Sequence, residues 1–376
     1  MIRCIHVISD TNIGGAGKML LEFIRNDAWK GLLQLSVVVP QGSLLIPELG
    51  NIPVFTMEKI GKRSLALDAV PALTRLFKSQ KPAIIHTHAS LAARLAARLA
   101  GIPAVHTRHS AFTLPGHAKR FPHRQVSGLI NSMLSTRIIS VSPAATQNLI
   151  DAGTNPNLID LVYNGVAPLT LLSSAERTSA RTAFGLSQNE FVAALIARLS
   201  PEKGHSWLLD AAKLLKKANA GKPQSIRIAI AGNGKLEQSI TRRIQDEGLD
   251  NVSFLGFIPD VWRLENAADV LLNTSIGAEA TSLSLLEGLS LGRPAIVSDS
   301  FGNPYVIQDG KSGLVVPAGD TQALASALIR LRDEPALYTK LAHGARLEYE
   351  TRFQAGRMVE ETISVYEKAL NIQIAI

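Results

Sequence analysis

Along the chain, short apolar and β-branched runs alternate with stretches whose apolar positions recur every three or four residues. "IRCIHVIS", "LQLSVVVP", "AIIHTH", "PAVHTRH" and "RIISVS" read as strands, with helical patterns such as "AGKMLLEFIRND", "AVPALTRLFKSQ" and "SLAARLAARLAG" between them. A second series follows: "EFVAALIARLS", "SIRIAIAGNG", "VSFLGF", "ADVLLNTS", "PAIVSDS" and "SGLVVPAG", alternating with helices such as "HSWLLDAAKLLKKANAG" and "TQALASALIRLRDEP". Strands buried on both faces lose the in/out alternation, and strand–helix repetition predicts parallel sheets covered by helices. Two series of five or six strands predict an α/β protein of two Rossmann-like domains. Periodicity lapses in "VAPLTLLSSAERTSART", residues 166–182, so the boundary belongs there: residues 1–168 and 172–354. The last segment, "FQAGRMVEETISVYEKALNI", predicts a long amphipathic helix at about 355–376.

Composition narrows this little. At 376 residues and 46% hydrophobic content, two cores are affordable. The single cysteine, Cys4, excludes a disulfide framework or a cysteine zinc site and suits a reducing compartment. The opening "MIRCIHVISDTN" reads as a buried strand, not a signal peptide, and no apolar run is long enough to span a bilayer. A soluble cytoplasmic protein is the expectation. Charge changes the picture more. The net value is +8, and thirteen lysines or arginines stand against one acid, Asp68, between Lys59 and Arg137. Such a field suits a phosphorylated substrate or an anionic membrane; nucleic acid is disfavoured, for want of aromatic interleaving or a reading motif.

Candidate chemistry sits at strand ends. "SDTNIGGAGKML" follows the first strand; its Gly14, Gly15 and Gly17 allow close backbone approach, but it is neither a P-loop nor GxGxxG. In "ARLSPEKG", Arg198 and Lys203 suit a diphosphate, one as a planar fork and the other as a point charge. Gly232 and Gly234 in "IAGNGKL" could accommodate a nucleotide. In "AEATSLSLLEG", Thr281 or Ser282 is the expected N-cap of a helix whose free N–H groups favour an anion. Glu279 lies before that helix and Glu287 about a turn inside it. His86 and His88 alternate onto one strand face; with no third ligand apparent, they predict a polar rim for an acceptor site, not a metal centre. His106 reads as a core histidine, and Arg94 and Arg98 as one solvated helix face.

Taken together, the Glu-x7-Glu pair, "ARLSPEKG", "IAGNG", "VSFLGF", "GGAGK" and "LVYNGV" resemble the retaining glycosyltransferases of family 4, which have the GT-B fold. The resemblance covers nearly the whole chain. It implies two Rossmann-like domains facing across a central cleft, the N-terminal one binding the acceptor and rejoined by the C-terminal helix, the other binding a nucleotide-sugar donor. It implies sugar transfer with retention and no required metal or other cofactor, and the absence of any Asp-x-Asp from the chain accords with that. By the same resemblance, Arg198 and Lys203, with the backbone of Ser284 and Leu285, hold the diphosphate. Glu287 binds the ribose and Glu279 the donor sugar; the backbone near Phe257, with Gly232, meets the base. Gly15 closes on the phosphates, His109 matches the family histidine beside the reacting sugar, and His86, His88 and Arg108 are acceptor-side candidates. The chain departs from the pattern at "FGNPYV", where Tyr305 stands in place of the usual acid.

The implied function is transfer from a UDP-sugar to a glycan or lipid-linked acceptor in polysaccharide or lipopolysaccharide synthesis, at the inner face of the plasma membrane. A sugar-nucleotide epimerase of the same fold and a non-catalytic nucleotide-sugar-binding protein are the alternatives.

Overall fold

The computed structural model describes residues 1–61 and 66–373. The chain divides into two compact units, the first made of Met1–Ala167 with Gln354–Ile376, the second of Pro168–Phe353.

In the first unit the order is β1 (Ile2–Ile8), α1 (Gly15–Arg25), β2 (Leu33–Pro40), β3 (Val54–Met57), α2 (Val70–Gln80), β4 (Ile84–His88), α3 (Leu91–Ala100), β5 (Ala104–Arg108), α4 (His123–Leu134), β6 (Arg137–Ser140), α5 (Pro143–Asp151) and β7 (Ile159–Leu161). All strands run parallel in the order β3-β2-β1-β4-β5-β6-β7. The five central strands are the five apolar runs of the sequence. The two further strands, β3 and β7, are the sheet's edges; both are short and only partly buried, so neither carries a continuous apolar run.

The second unit follows with α6 (Ser174–Ala183), β8 (Phe191–Ile196), α7 (His205–Ala218), β9 (Ile226–Ala231), α8 (Glu237–Asp246), β10 (Val252–Gly256), α9 (Val261–Ala267), β11 (Val270–Asn273), α10 (Leu283–Ser290), β12 (Ala295–Ser298), α11 (Asn303–Val306), β13 (Gly313–Val316), α12 (Thr321–Asp333) and α13 (Pro335–Arg352). Its parallel sheet runs β10-β9-β8-β11-β12-β13. The aperiodic stretch expected at the boundary contains α6. That helix is polar, with most of its residues in contact with water, but it is fixed at its start by a capping box between Ser173 and Glu176.

The last helix, α14 (Ala355–Leu370), belongs to the first unit, where it packs on α1, β5 and β6. It buries Met358, Val359, Ile363, Val365 and Tyr366. In both sheets the strand order reverses beside the first strand, between β1 and β4 and between β8 and β11. Loops leaving the carboxyl ends of such a pair diverge to opposite faces and leave a crevice for ligands.

Candidate functional site

The crevice of the second unit is built by backbone. Gly204, which ends the loop after β8, has φ +69°, and a Cβ there would stand 1.9 Å from the Thr274 carbonyl oxygen of the loop after β11. Gly232 has φ +146°, and its Cβ would stand 1.9 Å from the Ala197 carbonyl. Only glycine lets these loops touch. Thr274 Oγ1 donates to the Lys203 carbonyl at 2.8 Å, and the Ile276 N–H to the Glu202 carbonyl at 2.8 Å.

Held this way, the two loops bring together the residues the sequence singled out. Lys203 Nζ donates to Glu279 Oε2 at 2.7 Å, and the same oxygen accepts from Asn273 Nδ2 at 3.0 Å and Ser275 Oγ at 3.2 Å. Glu279 is 9% exposed. Arg198, on the same loop as Lys203, instead has a 70% exposed side chain, and it donates to Glu202 Oε1 at 3.0 Å. Each cation is thus held by an acid, one deep and one at the surface.

Ser282 is the N-cap of α10, but its hydroxyl bonds the Ser284 hydroxyl at 3.0 Å and caps no backbone N–H of the first turn, which leaves the N–H groups near Ser284 and Leu285 without a side-chain cap. Glu287 is half-buried one turn in. Phe257 lies just past β10 and is 69% exposed. In the "FGNPYV" loop the Gly302 N–H donates to the Glu279 carbonyl at 3.0 Å, so this loop supports Glu279 through backbone, while Tyr305 stands exposed.

In the first unit Gly15 is the first residue of α1, and a Cβ there would meet nothing within 4 Å. His86 and His88 do not form a polar rim. Both are buried, because β4 is covered on both faces. A third histidine also stands beside them. Parallel register sets His6 opposite His86 and Ile8 opposite His88, and no sequence pattern reveals such a register. His6 Nδ1 lies 3.1 Å from His88 Nε2, and His88 Nδ1 lies 2.9 Å from His109 Nε2. On the other side the Tyr366 hydroxyl lies 3.2 Å from His6 Nε2 and 2.6 Å from His86 Nδ1, and His86 Nε2 lies 2.6 Å from Thr107 Oγ1. With Asn164 and Thr362, the four histidines line a small cavity of about 30 Å³, roomy enough to hold water.

Burial pushes His6 down to about 3 and His109 down to about 4, and holds His86 and His88 well below the ordinary imidazole value. His6, His86 and His88 could each offer a nitrogen to one metal ion, those atoms lying within 4.8 Å of one another. Every ring nitrogen of the three is nevertheless engaged in the hydrogen bonds just given, and the Tyr366 hydroxyl occupies the position between His6 and His86. The donor set fits a hydrogen-bonded chain better than a metal.

Arg108 is half-buried, donating to Asn148 Oδ1 and the Ser110 carbonyl, and lies over the Phe112 ring. His106 is a core histidine, its Nδ1 beside Thr87. Arg94 does not share a solvated face with Arg98. It is buried and donates to Asn131 Oδ1 and Ser135 Oγ, because α4 covers that side of α3. Of the basic stretch, Lys62 and Arg63 lie outside the described residues. The rest includes α4, which rests on the loop after α5 through a close approach of Gly128 to Gly153 and exposes Val126, Leu129 and Met133, with Phe121 just before it. Lys119, Arg120 and Arg124 flank these apolar residues. No helix among the described residues is long and apolar enough to cross a membrane.

Comparison with known proteins adds an outside measure. The family profile for glycosyl transferases group 1 matches residues 176–348, and that for glycosyltransferase family 4 matches residues 13–168. The chain is 30% identical over 281 residues to an Escherichia coli UDP-Gal:alpha-D-GlcNAc-diphosphoundecaprenol alpha-1,3-galactosyltransferase, covering 71% of this chain and 70% of that one. It is 31% identical over 202 residues to EpsD of Bacillus subtilis, 54% of this chain and 51% of that one, so it matches about half the length of that relative. The structure of Anabaena HepE in complex with UDP superposes with a TM-score of 0.82 at 20% identity, over 97% of this chain and all of that one, and so shares its fold.

Proposed function

The chain belongs to the glycosyltransferases of group 1, family 4, and from that premise we propose that it moves a sugar from a UDP-sugar to a glycan or lipid-linked acceptor, with retention at the anomeric carbon and without a metal ion. The observation that carries this is the Lys203–Glu279 pair beneath the uncapped start of α10, at the strand-order reversal of the second unit. A cation, free N–H groups and a carboxylate are what a leaving diphosphate and a sugar hydroxyl need side by side. In this reading Arg198, Lys203 and the backbone of Ser284 and Leu285 stabilise the phosphate. Glu279 orients the donor sugar, Glu287 takes the ribose, and the backbone near Gly232 and Phe257 takes the base. Gly15 closes on the phosphates, and His109 contacts the reacting sugar. Arg108 and the surface of the first unit recognise the acceptor. UDP is favoured because the E. coli relative is named for UDP-Gal and HepE was crystallised with UDP. Retention and metal independence rest on the family resemblance and on the missing Asp-x-Asp.

The deciding experiment incubates the protein, with EDTA present, with a panel of UDP-sugars, with and without undecaprenyl-diphosphate-linked sugars. Acceptor-dependent UDP release giving a product of unchanged anomeric configuration supports the proposal. An isomerised sugar nucleotide from donor alone would make the protein an epimerase. Thermal stabilisation by donor without any turnover would make it a binding protein.

The α4 surface extends the reading to location. Exposed Phe121, Val126, Leu129 and Met133, bordered by Lys119, Arg120 and Arg124, suit the headgroup region of an anionic bilayer. Such attachment would place the enzyme at the inner face of the plasma membrane, beside lipid-linked acceptors in polysaccharide or lipopolysaccharide synthesis. Sedimentation with phosphatidylglycerol but not phosphatidylcholine vesicles, lost in Leu129→Asp/Met133→Asp, tests it; equal recovery with both lipids would refute it.

A further inference from the structure

The three donors that meet the Glu279 carboxylate converge on one oxygen, Oε2, although Glu279 itself sits on irregular backbone between β11 and α10. Lys203 Nζ ends a flexible stem and has to turn toward an incoming anion, so it cannot fix the carboxylate alone. Asn273, the last residue of β11, and Ser275 remain as the fixed donors. The Ser275 N–H donates to Asn273 Oδ1 at 3.1 Å, which turns the Asn273 amide so that its Nδ2 faces Glu279.

What holds these two residues is Asn303, from the "FGNPYV" loop. Its Nδ2 donates to Ser298 Oγ at 2.9 Å and, at 3.4 Å each, to Asn273 Oδ1 and the Asn273 carbonyl. The Ser298 hydroxyl donates in turn to the Ser275 carbonyl at 2.5 Å. One amide therefore touches Asn273 directly and reaches Ser275 through a single serine. All four residues are buried. The other end of that amide, Asn303 Oδ1, is buried without a partner among the described residues. An orphan acceptor is a cost that an aliphatic side chain would avoid, so what asparagine contributes here lies in its NH2 end. Gly302, one residue earlier, donates its N–H to the Glu279 carbonyl at 3.0 Å. The one loop thus grips Glu279 at the main chain and, through Asn273 and Ser275, at the carboxylate.

We infer that Asn303, with Ser298, is a positioning residue for Glu279: it keeps Asn273 and Ser275 as fixed donors to Oε2, so that Oε1 holds one position for a hydroxyl of the donor sugar while Lys203 turns to the diphosphate. The sugar and the diphosphate rest on the glycosyltransferase reading; the fixed donors do not. The role is selective. The network ends at Glu279, so loss of Asn303 alters the handling of the sugar and spares the nucleotide, which other residues hold.

The fixed donors are tested without any ligand, by side-chain amide exchange in NMR on the full chain with 15N-labelled asparagine, with Asn273→Ser identifying the Asn273 signals. The Asn273 NH2 should exchange slowly in the natural protein and at least about tenfold faster in Asn303→Ala. Equal protection in the two overturns the inference. In calorimetry with UDP and initial-rate assays with UDP-glucose and UDP-galactose, Asn303→Ala should leave the Kd for UDP within about twofold and lower kcat about tenfold, the worth of one neutral hydrogen bond. UDP affinity lost in step with kcat would make Asn303 merely structural, and an unchanged kcat in the folded variant would remove its role. In a Glu279→Gln background the same substitution should cost less than about threefold, because it acts through Glu279; a second full tenfold loss refutes the linkage. Should Asn303→Ala fail to fold, Ser298→Ala breaks the arm to Ser275 and must give the same split between UDP and sugar, and Ser298→Thr should restore it. A protected Asn273 amide that Asn303→Ala exposes, in a protein that neither binds UDP nor transfers sugar, would sink the function and leave the positioning standing.

Discussion

Lys203 Nζ and Glu279 Oε2 lie 2.7 Å apart, a bond that joins the loops after β8 and β11 across the point where the strand order reverses. Lys203 therefore both neutralises a nearly buried carboxylate and stands ready for an incoming anion. In Lys203→Ala, Glu279 keeps Asn273 and Ser275 but loses its counter-charge, so the fold should lose about 3 kcal/mol in chemical denaturation, the low end for breaking a buried pair. Transfer should drop about 100-fold or more, the usual cost of removing one preorganised stabiliser of developing charge. A folded variant with near-normal initial rates would remove the diphosphate from this site.

Two glycines separate scaffold from ligand space. Gly232→Ala puts a methyl group 1.9 Å from the Ala197 carbonyl at φ +146° and should destabilise the second unit by at least about 2 kcal/mol, read as a lowered Tm. Gly15→Ala meets open space at the start of a helix, where alanine is favoured by about 0.5–1 kcal/mol. Its Tm should hold or rise while stabilisation by UDP weakens. A drop in Tm with unchanged UDP response would make Gly15 merely structural.

Acid should unfold this protein through its histidines. Burial holds His6 at about 3 and His109 and His205 at about 4, with His86, His88 and His106 also well below the ordinary 6.5. Below pH 6.5 the unfolded chain binds protons that the folded chain refuses, so this stability is complete above about pH 6.5 and is lost as the pH falls toward 4. Tm should be nearly level from pH 7 to 8 and fall steeply below 6.5. A level Tm down to pH 4 would contradict the buried chain.

Removing residues 355–376 takes away α14 and its buried Met358, Val359, Ile363, Val365 and Tyr366. At about 1.5–3 kcal/mol for each large apolar side chain, the loss rivals the 5–15 kcal/mol that holds a domain together. Limited proteolysis should digest the first unit and spare a fragment close to Pro168–Phe353. Equal resistance of both units would show that α14 is dispensable.

Much of this was legible in the sequence, for identifiable reasons. Strands covered on both faces must be apolar throughout, so the central strands could be read directly, whereas β3 and β7, half in water at the edges, could not. The loop at 197–204 and the start of α10 carry their chemistry in residue type and spacing, and the structure places Lys203 and Glu279 of those segments in contact. The histidine chain was hidden, because it depends on the register of β1 against β4 and on Tyr366 arriving from 280 positions beyond His86. Arg94 misled for a related reason: its helix face looks solvated until α4 is laid over it.

The course of the backbone also has a bearing on how the protein is made. Strands β1 to β7 leave the ribosome first, yet the tyrosine that links His86 to His6 is translated only after all of Pro168–Phe353. Domains generally fold in order of emergence. Here the first sheet must wait, its histidines unbridged, until the second unit has been synthesised, and the polar chain leading to His109 closes only as α14 docks.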